Sequence, residues 1–131
     1  MIFVDSGAIL GRWLPHDAHH RRAVETWAKF DDAVFCTSNH VVDETLTLVA
    51  RRAGYGFAAD RAAGLYASTA VEILYATRED EEEALRFFRK YADQEVSFTD
   101  CVSFALMKRY KIQTAFTFDR HFQLAGWKVI P

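Results

Sequence analysis

Short apolar runs recur along this chain at Met1–Val4, Ala33–Thr37, Val71–Tyr75, Thr114–Phe118 and Trp127–Ile130, and longer segments with helical spacing fill the intervals. Short runs bounded by turn residues read as buried strands, and the stripes between them as amphipathic helices. After the first strand, Ala8 to Leu14 is apolar and stops at Pro15. A helix is expected from His16 to about Phe30, with Ala23, Val24, Trp27 and Ala28 on its inner face. Ser38 and Asn39 offer caps for a helix from Val41 to Arg52, which Gly54 stops. A second arm over Gly56 to Ser68 completes a helical hairpin, with Phe57, Leu65 and Tyr66 read as core. The segment from Thr77 or Arg78 to Lys90 places acids first and bases last, as the helix dipole favours. Thr77 and Asp80 fit a capping box there, and Glu82 with Arg86 has ion-pair spacing. A last long helix is expected from Thr99 to Tyr110, and Arg120 to Gly126 leaves room for a short helix or turn only.

Strands alternating with helices predict an α/β fold, a mostly parallel five-stranded sheet flanked by helices in three layers. With 131 residues, half of them hydrophobic, the chain reads as one domain over 1–131. No apolar run approaches the ~18 residues of a membrane span, and no signal-type segment opens the chain, so a soluble, cytoplasmic protein without membrane partners is expected. Cys36 and Cys101 lie in apolar stretches without ligand spacing and read as reduced core residues. A net charge of -2 and a pI near 6.2 count against a purely electrostatic nucleic-acid binder. They leave room for a metal-dependent nuclease, whose clustered acids bound cations would offset.

Four acids carry the candidate chemistry. Asp5 and Asp119 each follow a buried strand, and in a parallel sheet the strand carboxyl ends share one edge, where ligands bind. Glu44 shares a helix face with Val41 and Leu48, whereas Asp43 aligns with His40, Thr47 and Ala50, so Glu44 is the acid expected to point inward. Asp100 falls in the first turn of its helix. Three of them also have a structural reading: Asp5 as a helix cap, Glu44 as half of a buried salt bridge, Asp100 as the far end of a capping box opened by Ser97. If the four meet, their mutual repulsion calls for a cation, and oxygen ligands suit Mg²⁺ or Mn²⁺. Such a metal activates water and neutralises phosphate oxygens, which suits phosphodiester hydrolysis. Arg51, Arg52, Lys108, Arg109, Lys111 and Arg120 could grip a nucleic-acid backbone, or serve as ordinary surface charge. His16 and His20 stand four apart but lack the glutamate and third ligand of a zinc helix, which leaves solvated histidines or RNA contacts. Asp5-Ser6-Gly7-Ala8 has neither a dinucleotide fingerprint nor a Walker lysine, and Gly7 stands where a phosphatase would carry its second aspartate.

Taken in order, Ile2-Phe3-Val4-Asp5-Ser6, Glu44, Ser97-Phe98-Thr99-Asp100 and Thr117-Phe118-Asp119-Arg120-His121-Phe122 give the chain a pattern that resembles the PIN-domain family, and within it the VapC-type toxins of bacterial toxin–antitoxin pairs. The resemblance spans nearly the whole chain. It implies a single PIN fold and Mg²⁺- or Mn²⁺-dependent endoribonuclease activity. The family's catalytic and metal-binding quartet falls on Asp5, Glu44, Asp100 and Asp119, and its supporting hydroxyls on Ser6 and Thr117. The partners it implies are an RNA substrate, transfer RNA among the usual ones, a cognate VapB-like antitoxin and a second copy in a homodimer. The Trp13 to His20 stretch departs from the pattern, being longer and richer in histidine than a compact toxin would have. A stand-alone PIN nuclease therefore stays open, as does a non-catalytic PIN-like module that binds RNA or protein, although the presence of all four acids counts against the latter.

Overall fold

The five apolar runs pair into one sheet, every neighbour parallel, in the order β3-β2-β1-β4-β5. The computed structural model describes residues 1–131. Its strands are β1 (Ile2–Val4), β2 (Phe35–Ser38), β3 (Val71–Leu74), β4 (Thr114–Phe116) and β5 (Lys128–Ile130). Between them lie α1 (Ser6–Trp13), α2 (His20–Lys29), α3 (Asn39–Ala53), α4 (Tyr55–Ala67), α5 (Arg78–Lys90), α6 (Phe98–Arg109) and α7 (Arg120–Leu124), with one 3-10 turn at Ala92–Gln94. From β1 through β2 to β3 the chain steps one way across the sheet; α5 and α6 then return it to the far side of β1. Parallel crossovers are right-handed, so α1 to α4 cover one face and α5 to α7 the other. Accordingly α1 packs on α2 and α3, α3 on α4, and α5 on α6. The expected three-layer α/β/α arrangement is the one observed.

Several boundaries differ from those the sequence suggests, each for a local reason. Helix α2 begins at His20, not His16. Turn hydrogen bonds from Asp17 N–H to Leu14 O and from His20 N–H to Asp17 O hold residues 14–19 out of the helix, and the Asp17 carboxylate takes the His19 N–H and Arg52. Strand β2 begins at Phe35, two residues later than read, and β4 ends at Phe116, which leaves Thr117 and Phe118 outside the strand. Helix α3 ends as expected at Gly54, whose φ of 96° is open to glycine at little cost. The expected Glu82–Arg86 pair does not form: Arg78 takes Glu82, and Arg86 turns to Glu83, which Lys108 of α6 also engages. Tyr66, read as core, is exposed, while Leu65 is buried.

Helix α6 anchors the core. Its residues from Asp100 to Met107 are all buried, the mark of a helix enclosed on every side. Phe104 meets Phe87, Tyr91 and Phe122 edge-on. Cys36 and Cys101 are free and buried, as expected of core thiols. No helix is long and apolar enough to cross a membrane. What this architecture does for the site is rigidity: a helix so enclosed fixes the position of the acid in its first turn.

Candidate active site

Strand β1 lies between β2 and β4, and the connection after β1 runs toward β2 while the one after β4 runs the opposite way, toward β5. The β1/β4 pair is therefore the topological switch point, where an open parallel sheet forms its crevice beyond the carboxyl ends. Asp5 leaves β1 and Asp119 follows β4, so both stand at that crevice. Helix α3 starts directly from β2 and brings Glu44 in on its second turn. Asp100 arrives differently: no strand precedes α6, and the helix approaches over the other face of the sheet. Helices α3 and α6 nevertheless touch, and Asp100 feels the charges of Asp5, Asp119 and Glu44, with Asp119 the acid whose ligand atom comes within 4.8 Å of its own.

Thr117 is the hub of the strand-borne half. Its hydroxyl donates to Asp5 Oδ2 at 2.8 Å and accepts the Asp119 N–H at 3.0 Å. Breaking the strand at Phe116 is what frees Thr117 for this role. Asp5 occupies the N-cap position of α1 without making a side-chain cap bond, so the structural reading of that residue fails. Its other oxygen, Oδ1, is buried and has no partner. Ser6 reaches Asp5 through its backbone and not its hydroxyl. Asp119 does cap its helix, accepting the His121 N–H at 2.9 Å.

Asp100 is buried, its N–H donating to Ser97 Oγ at 3.1 Å. The return bond of a capping box is missing, which leaves the carboxylate to face the other acids. Glu44 is half-buried beside the fully buried Val41, whereas Asp43 is exposed, so the choice between those adjacent acids follows the helix face as read. No ion pair involves Glu44, which removes the buried salt bridge as an account of it.

The electrostatics register the convergence. Burial lifts Asp100 to about 9, and the charges of Asp5, Asp119 and Glu44 add to the rise. Burial lifts Asp5 to about 6, against the hydrogen bonds from Thr117 and Ser6, with Glu44 and Asp119 again raising it. These are carboxylates held close with too little positive charge among them. His121 joins the group, its Nδ1 3.2 Å from Asp119 Oδ1 and 3.7 Å from Asp100 Oδ2, yet without a hydrogen-bond partner. Asp100, Asp119 and His121 can each offer a ligand atom within 4.8 Å of the others. An unpartnered buried oxygen, an unpartnered buried nitrogen and acids that resist ionisation suit a divalent cation, and the residues present fit one.

His121 is the residue that reasoning on strands and helix faces missed. The only signal for it was its place two residues beyond Asp119, in the first turn of a short helix. The histidines that did attract attention form no metal pair: His16 is exposed, and His20 places Nδ1 2.7 Å from Gly11 O. His19 instead stacks on Phe118 at 4.3 Å, tying the histidine-rich stretch to the loop that carries Thr117 and Asp119. Of the basic candidates, Arg52 is taken by Asp17, Lys108 by Glu83 and Arg109 by Asp80. Arg51, Lys111 and Arg120 have no ion pair within the protein.

Comparison with known proteins identifies the family and agrees with the fold. The PIN domain model matches residues 2–128. The chain is 42% identical over 129 residues to the 23S rRNA-specific endonuclease VapC20 of Mycobacterium tuberculosis, in both the CDC 1551 / Oshkosh and H37Rv strains, covering 97% of this chain and 95% of that protein. The crystal structure of M. tuberculosis VapC20, a Sarcin-Ricin loop cleaving toxin, superposes over the full length of both chains with a TM-score of 0.91 at 37% identity. FitAcB from Neisseria gonorrhoeae matches all of this chain and 97% of its own with a TM-score of 0.68; at 21% identity this is a likeness of fold. On a family match that runs from the first strand into the last, and on a fold that agrees with it, the chain belongs to the PIN-domain family.

Proposed function

We propose that this protein is a divalent-metal endoribonuclease of the VapC type, the toxin of a toxin–antitoxin pair, and that Asp5, Glu44, Asp100 and Asp119 are its catalytic and metal-holding residues. One observation carries the reading. Asp100 sits on the most enclosed helix of the fold, raised by burial and by three other acids, with no lysine or arginine paired to it. Natural cores seldom tolerate that unless the site serves chemistry.

A bound Mg²⁺ or Mn²⁺ would supply Lewis acidity to a phosphate oxygen and a water made acidic enough to attack phosphorus. The protein's part is placement. Thr117 fixes Asp5 through one oxygen and leaves the other for a ligand. Ser97 locks the first turn of α6 and so the direction of Asp100. Glu44, half-buried at the mouth, completes the acidic wall. Of the unpaired bases, Arg120 follows Asp119 directly at the crevice and is available to a phosphate of the substrate, and a contact of that kind positions a nucleic acid without reading its sequence.

The relative of 42% identity acts on 23S rRNA, which makes ribosomal RNA the first substrate to test here and transfer RNA the second. An antitoxin of the VapB kind, a homodimer and a cytoplasmic location, where ribosomes lie, complete the proposal. The test is cleavage of ribosomes, total RNA and transfer RNA by purified protein with Mg²⁺ or Mn²⁺, against EDTA and against Asp5→Ala and Asp100→Ala variants that remain folded. Cleavage by the wild type alone, abolished by EDTA, is the expected outcome. Cutting that survives both substitutions would overturn the assignment of the acids.

A further inference from the structure

Resting on the reading of the acidic cluster as a metal site, we infer that His121 is a direct nitrogen ligand of the cation held by Asp100 and Asp119, and that it makes this position prefer Mn²⁺ to Mg²⁺. The geometry is that of a coordination corner. Ligands bound at 2.0–2.1 Å in an octahedron stand about 3 Å apart when adjacent. Nδ1 of His121 lies 3.2 Å from Asp119 Oδ1 and 3.7 Å from Asp100 Oδ2, close to that spacing before any ion draws the three together.

Nδ1 is moreover buried and makes no hydrogen bond, although Asp119 Oδ1 stands 3.2 Å away: the two are close without the alignment of a hydrogen bond. The imidazole is therefore not simply an anchor for the carboxylate. A buried ring nitrogen without a partner is costly, and a cation at this corner would satisfy it. The buried, unpartnered Asp5 Oδ1 belongs to the same cluster and independently marks the space as one that wants a positive ligand.

The consequence is chemical. Four carboxylates alone offer only hard oxygen donors, which suit Mg²⁺ and Mn²⁺ alike. Imidazole suits transition metals, and in a mixed nitrogen and oxygen site affinity rises along the first-row series from Mn²⁺ onward. Helix α7 places the nitrogen by holding Asp119 and His121 in one turn, with Phe122 buried behind them.

The experiment loads the full protein with Mn²⁺ or Mg²⁺ and uses two readouts that need no RNA. Pulsed electron paramagnetic resonance on the Mn²⁺ form reads directly bonded nitrogen, and calorimetry gives both affinities for the wild type and for folded His121→Phe and His121→Asn. The expected result is ¹⁴N coupling in the wild type that disappears in both variants. The Mn²⁺-over-Mg²⁺ preference should fall about 10- to 100-fold, the range that losing even a ligand's hydrogen-bonding partner produces. Mn²⁺ binding without ¹⁴N coupling, or coupling that persists in His121→Phe, would overturn the role of His121 and leave the metal site standing. A folded wild type that binds neither ion would overturn both. Were the imidazole instead a cationic partner of the acids, its removal would leave Mn²⁺ binding equal or tighter, the opposite of the expected sign.

Discussion

Helices α5 and α6 begin with the same signature, a hydroxyl residue followed three positions later by aspartate, and the two aspartates end in opposite electrostatic states. At α5 the box closes: Thr77 Oγ1 accepts the Asp80 N–H, and Asp80 Oδ2 accepts the Thr77 N–H and hydroxyl. Arg109 adds a further ion pair at 2.8 Å. Burial alone would raise the Asp80 carboxyl, but these donors outweigh it and hold it below its ordinary value. At α6, Ser97 caps Asp100 in the same way and nothing returns the bond, so burial and neighbouring acids drive its carboxyl up to about 9. The motif is shared; the surroundings differ in the sign of the charge they bring. An aspartate given a guanidinium is part of the scaffold, and one given three other acids is a place for something the chain does not itself supply.

The largest effect that separates the two is on cleavage. Asp100→Asn is expected to lower RNA cleavage by roughly 10³-fold, the value of several kcal/mol of metal-dependent stabilisation, while the metal-free protein becomes more stable at pH 8 because an amide is neutral without the proton that folding makes Asp100 take up. Asp80→Ala should do the reverse, leaving cleavage nearly intact and costing about 1–3 kcal/mol of stability through the lost cap and charged bonds. Cleavage rates and urea denaturation of the same two variants check both halves. An Asp80→Ala protein that folds fully and loses cleavage as Asp100→Asn does would collapse the distinction.

A smaller effect is in the pH dependence of stability without metal. A group whose folded pKa is raised keeps protons in the folded state that the unfolded chain has released, so its contribution falls as pH rises from its ordinary value to its folded one. For Asp5 that window runs from 3.8 to about 6, and for Asp100 from 3.8 to about 9. Asp80 and Glu83 have lowered values, so their stabilisation is present above the ordinary carboxylate range and is lost on acidification below it. The metal-free protein should therefore lose stability from pH 5 to pH 9, and Asp100→Asn should flatten that slope. A divalent cation should flatten it as well, adding about 2.7 kcal/mol at a concentration 100 times its dissociation constant. Thermal melts across pH, with EDTA and with Mn²⁺, measure this. A wild-type slope that neither the substitution nor the metal changes would place the charge strain elsewhere.

Much of the site could be read from the chain because it depends on parallel topology. Once β1 and β4 are strands of one parallel sheet, the acids that follow them share an edge, and helical spacing separates Glu44 from Asp43. Asp100 was half legible: Ser97 and Asp100 fit a cap, but no local rule says whether the box closes. That depends on Arg109 standing near Asp80 and no lysine or arginine standing near Asp100, which is a tertiary fact. His121 was illegible for the same reason, since what matters is its distance to an acid 21 positions earlier. The late start of α2 and the unformed Glu82–Arg86 pair fail differently. In both, several partners were within local reach, Asp17 taking His19 and Arg52 in one case and Glu83 taking Arg86 and Lys108 in the other. Spacing lists the candidates and the fold selects among them.

The smallest effect tests whether the cap, and not helix charge in general, is what stabilises the start of α5. Arg78 and Glu82 also sit in its first turns, 3.2 Å apart, with their side chains 87% and 55% exposed. Water competes for both ends of such a pair, and ordering two long side chains offsets most of the attraction, so its worth is about 0.3–0.5 kcal/mol. Arg78→Ala should accordingly shift the urea midpoint only slightly, and less still in high salt, where exposed charges are screened. Asp80→Ala should keep most of its cost under the same salt, because its bonds to Thr77 are short, sheltered and local. If Arg78→Ala proved as costly as Asp80→Ala and equally insensitive to salt, the α5 terminus would be held by its charges at large, and the contrast with Asp100 would need a source other than the closed box.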